Sequence, residues 1–502
     1  MSELCLWPEA AVDAIEQTAR EILSEVGMNV LSDGARELLL SVGCELLPEG
    51  RVALPWDVVE HAADAAPRRF TLAARDDARS LTVTDAASMT WTHPLGGAHS
   101  VCDVATGEQR RAHVTDAAAA ARVQHHLERP ELVTPLFMPG DLPGDLEPLV
   151  SYIVCLQETD KCVSGPALWS AEQVRGICRL AERALGADAA PDHSAISLAF
   201  SPLSPLTLGA DVADALIEAA RLGASCVILP CPIAGTTGPA PIAATVAQQT
   251  AEALAGVVLA EAARPGTPVI CGSRLMPSDP RNGTAIMGGP ELALAAQAAT
   301  VIMRRLGLPS DVYGLSTDSK VIDVQFGFER AIGALLAAMA RPAFVSGMGF
   351  MQSGVGGSLE ALVIDDEIWR YVAWPLEERP TDKQALDVGA IKQAVSTTAG
   401  FLGLRQTRRY ARTEKVDRRL AYVGGLAEWL ESEHGMVGRA KDIVADALAQ
   451  QPVGLGPDVI DSATEIIGET AERMGLESPD LAVLLERCGG PVAVGQDQAG
   501  PK

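Results

Sequence analysis

From about residue 132 the chain repeats one pattern: a short apolar run rich in β-formers, a loop of Gly, Pro, Ser and Thr, then an Ala-rich helix. The runs are "LVTPLFMP" (132), "KCVSGPAL" (161), "AISLAFSP" (195), "SCVILPCPI" (225), "PVICGSRL" (268), "DVYGLST" (311) and "AFVSGMGF" (343). Between two of them, "DVADALIEAARLG" sets Val212, Ala215, Leu216 and Ala219 on one helical face and stops at Gly223. Continuous apolar strands alternating with amphipathic helices require a parallel sheet covered on its outside, because each crossover helix buries its stripe on the sheet. Seven units at roughly 30 to 43 residue intervals predict an α/β fold of the (β/α)8 TIM-barrel type, with the eighth strand not evident. A Rossmann sheet would carry G-x-G-x-x-G after its first strand, and none is present.

The repeat sets the domain organisation. Residues 1–95 form an N-terminal accessory region of helices and a strand pair, in which "AAVDAIEQTAREILSEVG" is amphipathic and "RRFTLAARDDARSLTV" alternates. Residues 96–375 are the barrel core. It opens with a hairpin turning at Thr106-Gly107 and a helix capped at Thr115. Residues 376–490 are a helical C-terminal extension, and 491–502 a flexible tail.

A net charge of -25 argues against a nucleic-acid groove, which needs clustered Lys and Arg. It favours neutral, cationic or locally basic partners. The start "MSELCLWPEA" lacks a basic segment followed by an apolar run, and no later window reads as a membrane span, so the expectation is a cytoplasmic protein. Ten scattered cysteines without C-x-x-C read as reduced core thiols. Eight histidines without H-x-x-x-H or H-E-x-x-H give no zinc site and no tightly bound metal.

A barrel carries its chemistry at the C-terminal ends of its strands. Aromatics are 4% of the chain, yet Phe137, Trp169, Phe200, Tyr313 and Phe350 fall within or just after five of the runs, and Phe326, Phe328 and Trp369 follow in adjoining segments. Each ring alone is as readily barrel filling; together they predict an aromatic-lined mouth suited to a small organic cation. Asp318, Asp323, Glu291 and Glu329 are the nearby carboxylates, although "GGPE" at 288–291 also has the form of a helix start. The glycine-rich stretch at 346–360, with Gly347, Gly349 and Gly354, permits close approach of a phosphate or of a flat partner. No G-x-S-x-G elbow supports a serine hydrolase.

The segments "CDVATGEQRRAHVTDAA", "LQETDKCVSG", "SPLSPLTLGADVADALIEAARLGASCVILPCPIAGTTGPAP", "GTPVICGSRLMPSDPRNGTAIMGGPELAL" and "GLSTDSKVIDVQFGFE" resemble the trimethylamine methyltransferase family, in order, from about residue 15 to about 470. The resemblance implies a (β/α)8 barrel that moves a methyl group from an amine to the cob(I)alamin cofactor of a separate corrinoid protein. Founding members carry pyrrolysine near this last segment. Here Lys320, Val321 and Ile322 occupy that neighbourhood, which places the chain with the pyrrolysine-free branch acting on quaternary amines such as glycine betaine. A quaternary ammonium leaves as a neutral tertiary amine, so the reaction requires orientation rather than a proton donor.

On that reading Asp318, Lys320 and Gln325 are the candidate catalytic residues. Asp318 tunes charge, while Lys320 or Gln325 either meets the substrate carboxylate or organises the loop by pairing with Asp318 or Asp323. Tyr313, Phe137, Trp169, Phe200, Phe326, Phe350 and Glu291 are the candidate substrate-binding residues, and the loops of Gly347, Gly349 and Gly354 face the corrinoid. Many members have a His-rich stretch near the C-terminal end, where this chain reads "AGFLGLRQTRRYARTE" with a basic patch of Arg405, Arg408 and Arg409. A homo-oligomer is expected. The competing readings are methyl transfer between a corrinoid and a folate, and a betaine-binding protein without turnover.

Overall fold

The computed structural model describes residues 4–85, 90–165, 168–186, 193–431 and 435–489. The proposed flexible tail at 491–502 lies outside the described residues. All seven apolar runs form strands that run parallel, and an eighth joins them from the region assigned to the accessory segment. In chain order these are β1 (Trp91–Pro94), β2 (Leu132–Val133), β3 (Cys162–Val163), β4 (Ser197–Phe200), β5 (Ser225–Ile228), β6 (Val269–Ser273), β7 (Ser310–Tyr313) and β8 (Phe344–Met348). Six of them make one sheet in the order β4-β5-β6-β7-β8-β1, so the last strand in the chain pairs with the first. The other two pair with each other. Gly165 N donates to Ser197 O (2.8 Å), at the start of β4, and Thr92 N in β1 donates to Glu131 Oε2 (3.0 Å), beside β2.

Register and alternation divide the side chains into an outer set against the helices and an inner set. Val312 and Val345 lie with the helix-facing core, whereas Phe344 lies with Leu132, Cys162, Val227 and Ile270 from four other strands. The antiparallel hairpin Arg69–Leu72 and Leu81–Thr84 adds Phe70, Leu72, Leu81 and Val83 to that inner cluster, and so closes the interior at the end where the strands begin.

Crossover helices cover the outside. Helix Ala210–Leu222 ends at Gly223 in the left-handed region (φ 81°), as the glycine stop predicted. Helix Val114–His126 begins at His113 rather than Thr115, because the Asp116 carboxylate accepts from His113 N (2.9 Å) and fixes the first turn there. The hairpin Ser100–Cys102 with Gln109–Arg111 forms as expected, and its turn is held by Asp103 Oδ1 accepting from Ala105 N and Thr106 N. Helix Ile242–Ala263 corrects one expectation. Its 22 residues are long and apolar enough to cross a membrane, yet 83% of its most apolar window is buried among Val12, Ile15, Ala19, Leu216 and other helix faces, as a core helix requires. Beyond 376 the chain is mostly helical, and Pro457–Met474 and Leu481–Gly489 return Ile466, Ile467, Leu484 and Leu485 to the main core.

Candidate active site

The sequence placed its candidates in the loop 314–323 after β7, and this loop ties together three loops at the C-terminal ends of the strands. The Asp318 carboxylate accepts from Met287 N (3.0 and 3.1 Å) and Gly288 N (2.9 Å), in the loop that follows β6, and from Ser353 Oγ (2.7 Å), in the loop that follows β8. Glu329 accepts from Thr317 Oγ1 (2.5 Å), Asp318 N (2.9 Å) and Gln325 Nε2 (2.8 Å). Asp323 caps helix Val324–Met339 by accepting from Phe326 N (3.0 Å). The hydrogen-bond donors to Asp318 and Glu329 are all neutral, and among the described residues neither carboxylate makes an ion pair, although the Glu329 charge acts on the buried Arg330.

Gln352 and Ser353 adopt left-handed φ values of 57° and 60°, followed by Gly354 at 83°. Three such residues in succession are strained for the two with side chains, and the surroundings hold them. Gln352 N donates to Ser319 O, Ser353 N to Thr317 O, and Gln352 Nε2 to Gly107 O and Lys320 O. The Ser100–Arg111 hairpin loop, the β7 loop and the β8 loop are thereby one assembly. Lys320 lies on its rim, exposed, and among the described residues its ammonium pairs with neither Asp318 nor Asp323. Gln325 pairs with Glu329 instead.

The predicted rings do not meet in one place. Tyr313, at the end of β7, packs with Met287 and Leu292, bordered by Leu95 and Met276. Phe137, Phe326 and Phe350 are buried in the helix-facing cluster, Phe200 lies in the main core, and Trp169 is on the surface donating to Asp145 Oδ1 (3.1 Å). The reason is directional: a residue at a strand end contributes to the mouth only if its position falls on the inner face, and a ring on a helix points to whichever face that turn presents. Phe326, on the first turn of its helix, lies 4.4 Å from the buried Arg330 guanidinium, so one ring face is already occupied by a cation of this chain. Tyr313 likewise has Arg274 at 4.6 Å over its ring.

The glycines serve the chain's own packing. A Cβ on Gly347 (φ 117°) would fall on the Leu315 carbonyl, and one on Gly349 would meet Leu362 and Leu136. Only Gly354 borders the loop assembly, with Met287 Sδ at 3.0 Å from its missing Cβ and exposed Val355 next to it. Glu291 stands in the first turn of helix Pro290–Arg305, as the helix-start reading expected, and its Oε2 is buried without a hydrogen-bond partner.

Beneath this assembly is a constellation that the sequence did not single out. Asp311 in β7 accepts from Arg274 Nη2 (2.5 Å) and lies 3.2 Å from His93 Nε2 in β1, while Arg274 Nη1 donates to Asp311 O (3.0 Å). All three are buried, and Asp311 Oδ1 has no partner. Burial pushes the Asp311 carboxyl up, but the Arg274 charge and His93 outweigh it and hold the group below its ordinary range. Burial raises the Tyr313 hydroxyl above its ordinary value, so the ring remains neutral. One signal was available: a charged residue within an otherwise apolar, two-sided strand has to find partners inside, and Asp311 and Arg274 both have that setting. A second buried pair, Arg330 and Asp365 at 2.5 Å, supports the same loops, since Asp365 Oδ2 also accepts from Gly349 N (2.7 Å). No group of three or more His, Cys, Asp or Glu among the described residues is arranged to hold a metal ion.

Comparisons with known proteins bear on what this mouth does. The sequence model of the trimethylamine methyltransferases matches residues 2–469. A glycine betaine methyltransferase from Desulfitobacterium hafniense (strain Y51) is 28% identical over 479 residues, 93% of this chain and 98% of that protein. The trimethylamine methyltransferase MttB of Methanosarcina thermophila is 37% identical over 212 residues, and there the match spans less than half of either protein, 42% of this chain and 44% of the relative. Among solved structures, the monomethylamine methyltransferase MtmB of Methanosarcina barkeri aligns over 89% of this chain and 96% of its own, with 14% identity and a TM-score of 0.46. With the family's sequence model covering nearly all of the loops and strands that build the mouth, the chain belongs to the trimethylamine methyltransferase family.

Proposed function

We propose that this protein removes a methyl group from a quaternary ammonium compound of the glycine betaine type and passes it to the Co(I) of a corrinoid carried by a separate protein. The scaffold in this reading is a (β/α)8 barrel, with β2 and β3 filling the gap between β1 and β4 through the Gly165 and Thr92 hydrogen bonds. The observation that carries it is the family match over residues 2–469 together with the full-length likeness to a glycine betaine methyltransferase, and the Tyr313 cluster supports it. Tyr313, one ring face covered by Arg274 (4.6 Å), forms with Met276, Met287, Leu95 and Leu292 an apolar wall below the loop that the Asp318 carboxylate holds, and that carboxylate makes no ion pair among the described residues. Such a wall excludes water from the methyl groups, and the carboxylate balances a fixed positive charge that no proton transfer can remove.

The chain's own residues act by orientation. Met287 is pinned by its main-chain N–H to Asp318, so the thioether wall and the ring keep a fixed spacing, and two of the three N-methyl groups are held while the third faces the opening. In this reading Lys320, exposed on the rim, meets the substrate carboxylate outside the apolar wall. When its protein is docked, the corrinoid supplies the nucleophilic cobalt and accepts the methyl group. Gly347 and Gly349 do not fit a corrinoid cradle, because their Cβ positions are filled from within. The exposed apolar Val324, Phe328 and Val355 beside the mouth fit the footprint of a partner protein.

The test is spectroscopic: cob(I)alamin, kept reduced, is mixed with the protein and glycine betaine, other betaines, carnitine, choline or dimethylsulfoniopropionate, first free and then on a corrinoid protein. Conversion to methylcob(III)alamin with one donor names the substrate. Absence of conversion with both forms of the cofactor, alongside ligand-induced thermal stabilisation, moves the assignment to a betaine-binding protein.

A further inference from the structure

We propose that Asp311 is a positioning residue for the methyl donor: it holds Arg274 over Tyr313 and cancels the guanidinium charge, which keeps the ring open to a permanently charged onium group. The inference rests on the methyl-donor reading above, and it supplies the means by which the pocket accepts a cation beside an arginine.

The geometry is a polar storey between an apolar floor and the mouth. Asp311 and Tyr313 are two residues apart in β7, so both face inward, while Val312 between them lies with the helix-facing cluster. Asp311 is level with Phe344 of β8, and the His93 ring meets Phe344 edge-on at 5.8 Å. Phe344 in turn belongs to the apolar cluster shared with Phe70, Leu72, Leu81 and Val83. Above that floor, one oxygen of Asp311 is shared by Arg274 Nη2 (2.5 Å) and His93 Nε2 (3.2 Å), and His93 Nδ1 lies 3.5 Å from Thr134 Oγ1. Arg274, the first residue after β6, is thereby held over the Tyr313 ring at 4.6 Å.

Packing alone does not require this storey. Arg274, Asp311 and His93 are 2%, 4% and 8% exposed, yet Arg274 Nε and Asp311 Oδ1 have no hydrogen-bond partner. A buried ion pair left incompletely satisfied stabilises a fold less than apolar side chains of the same volume, so its presence points to a task other than stability. Both charges reach the ring: beneath the dominant effect of burial, which raises the Tyr313 hydroxyl, Arg274 lowers it and Asp311 raises it. A donor cation on the uncovered face of the ring stands about 9 Å from the guanidinium carbon. Without Asp311, that like charge weakens cation binding about 20-fold at an effective dielectric constant of about 20.

The experiment is isothermal titration calorimetry on the full chain with two pairs of ligands that exchange a cationic nitrogen for carbon: glycine betaine with 3,3-dimethylbutanoate, and choline with 3,3-dimethylbutan-1-ol. The quantity read is the preference for the cation within a pair, for the wild type, Asp311→Asn, Arg274→Met and the double variant. Asp311→Asn strands the guanidinium charge and is expected to lower the preference about 20-fold. Arg274→Met strands the carboxylate and is expected to raise it. The double variant carries neither charge and is expected to return to within about 2-fold of the wild type. A merely structural role lowers both single variants alike, so the opposite signs are the signature, and if one single variant unfolds by circular dichroism the other carries the test with the double. An unchanged preference in Asp311→Asn, a shift of both single variants in the same direction, or a double variant that fails to recover overturns the proposal. A wild type that binds neither cation refutes the methyl-donor reading and this inference with it, an outcome distinct from cation binding that is indifferent to Asp311.

Discussion

Replacing Asp318 separates the two things its carboxylate does. In Asp318→Ala, the N–H groups of Met287 and Gly288 and the Ser353 hydroxyl all lose their acceptor. Each hydrogen bond to an ionised carboxylate contributes about 1.5–3 kcal/mol when buried. Asp318 is half-buried, and water replaces part of that, so the net loss is about 3 kcal/mol for the three donors together. Asp318→Asn keeps one acceptor oxygen and loses the charge, for about half that loss. On a chain of this length, 3 kcal/mol moves the thermal midpoint by about 3 °C. The effect on turnover is larger in kind, because Met287 is released from its place on Tyr313: kcat/KM for the methyl donor falls at least ~10-fold, the equivalent of about 1.4 kcal/mol. Ser353→Ala completes the comparison, since it removes one tie and no charge. Asp318→Asn is expected to weaken binding of a quaternary ammonium more than of a neutral carbon isostere, measured by calorimetry, and Ser353→Ala to weaken both alike. Wild-type melting and wild-type kcat/KM in Asp318→Ala would refute the loop-tie argument, and equal losses for charged and neutral ligands in Asp318→Asn would refute the charge argument.

Tyr313→Ala removes the one ring of the apolar wall, and fluorescence titration is expected to show a greater loss of affinity for a cationic ligand than for its neutral isostere. Gly347→Ala forces a Cβ onto the Leu315 carbonyl at a left-handed φ, and chemical denaturation is expected to show about 3 kcal/mol of destabilisation. Glu147, buried beside Ser151 Oγ at 2.5 Å, has its carboxyl raised to about 7 by burial, with the Ser151 bond pulling the other way. The folded chain therefore binds the proton more tightly than the unfolded chain. The associated stability is complete below the unfolded value of 4.5 and is lost as pH rises to about 7, on the order of 3 kcal/mol. Glu147→Gln is expected to match the wild-type midpoint near pH 4 to within a degree or so and to exceed it by about 3 °C at pH 8, in scanning calorimetry.

The strands were legible where both faces are apolar. A buried parallel strand such as "SCVI" or "FVSGM" has no polar alternation to obscure it, and its flanking helices announce the crossover. Trp91–Pro94 escaped because "WTHP" alternates a ring, a hydroxyl, an imidazole and a proline, and His93 is polar precisely where it faces the interior partner Asp311. Loop residues 314–323 were legible as a crowd of polar groups, and that crowd does organise the mouth. Which partner each would choose was not, because Met287, Gly288 and Ser353 come from segments more than twenty residues away, brought close only by the sheet order. The aromatic count misled for a related reason: position along the chain fixes nearness to a strand end, whereas membership of a pocket depends on the side of the strand.

The hairpin fills the interior with Phe70, Leu72, Leu81 and Val83 at the end where the strands begin, opposite the loops of the proposed mouth. In the proposed reaction, the amine left behind after demethylation has no exit beneath it, and a corrinoid protein seated over the mouth holds it in. Traffic is then last in, first out: the donor enters first, the acceptor arrives second, the methylated acceptor departs, and only afterwards does the amine escape. Where release of the methylated partner limits the cycle, a tighter-binding corrinoid protein slows turnover rather than speeding it.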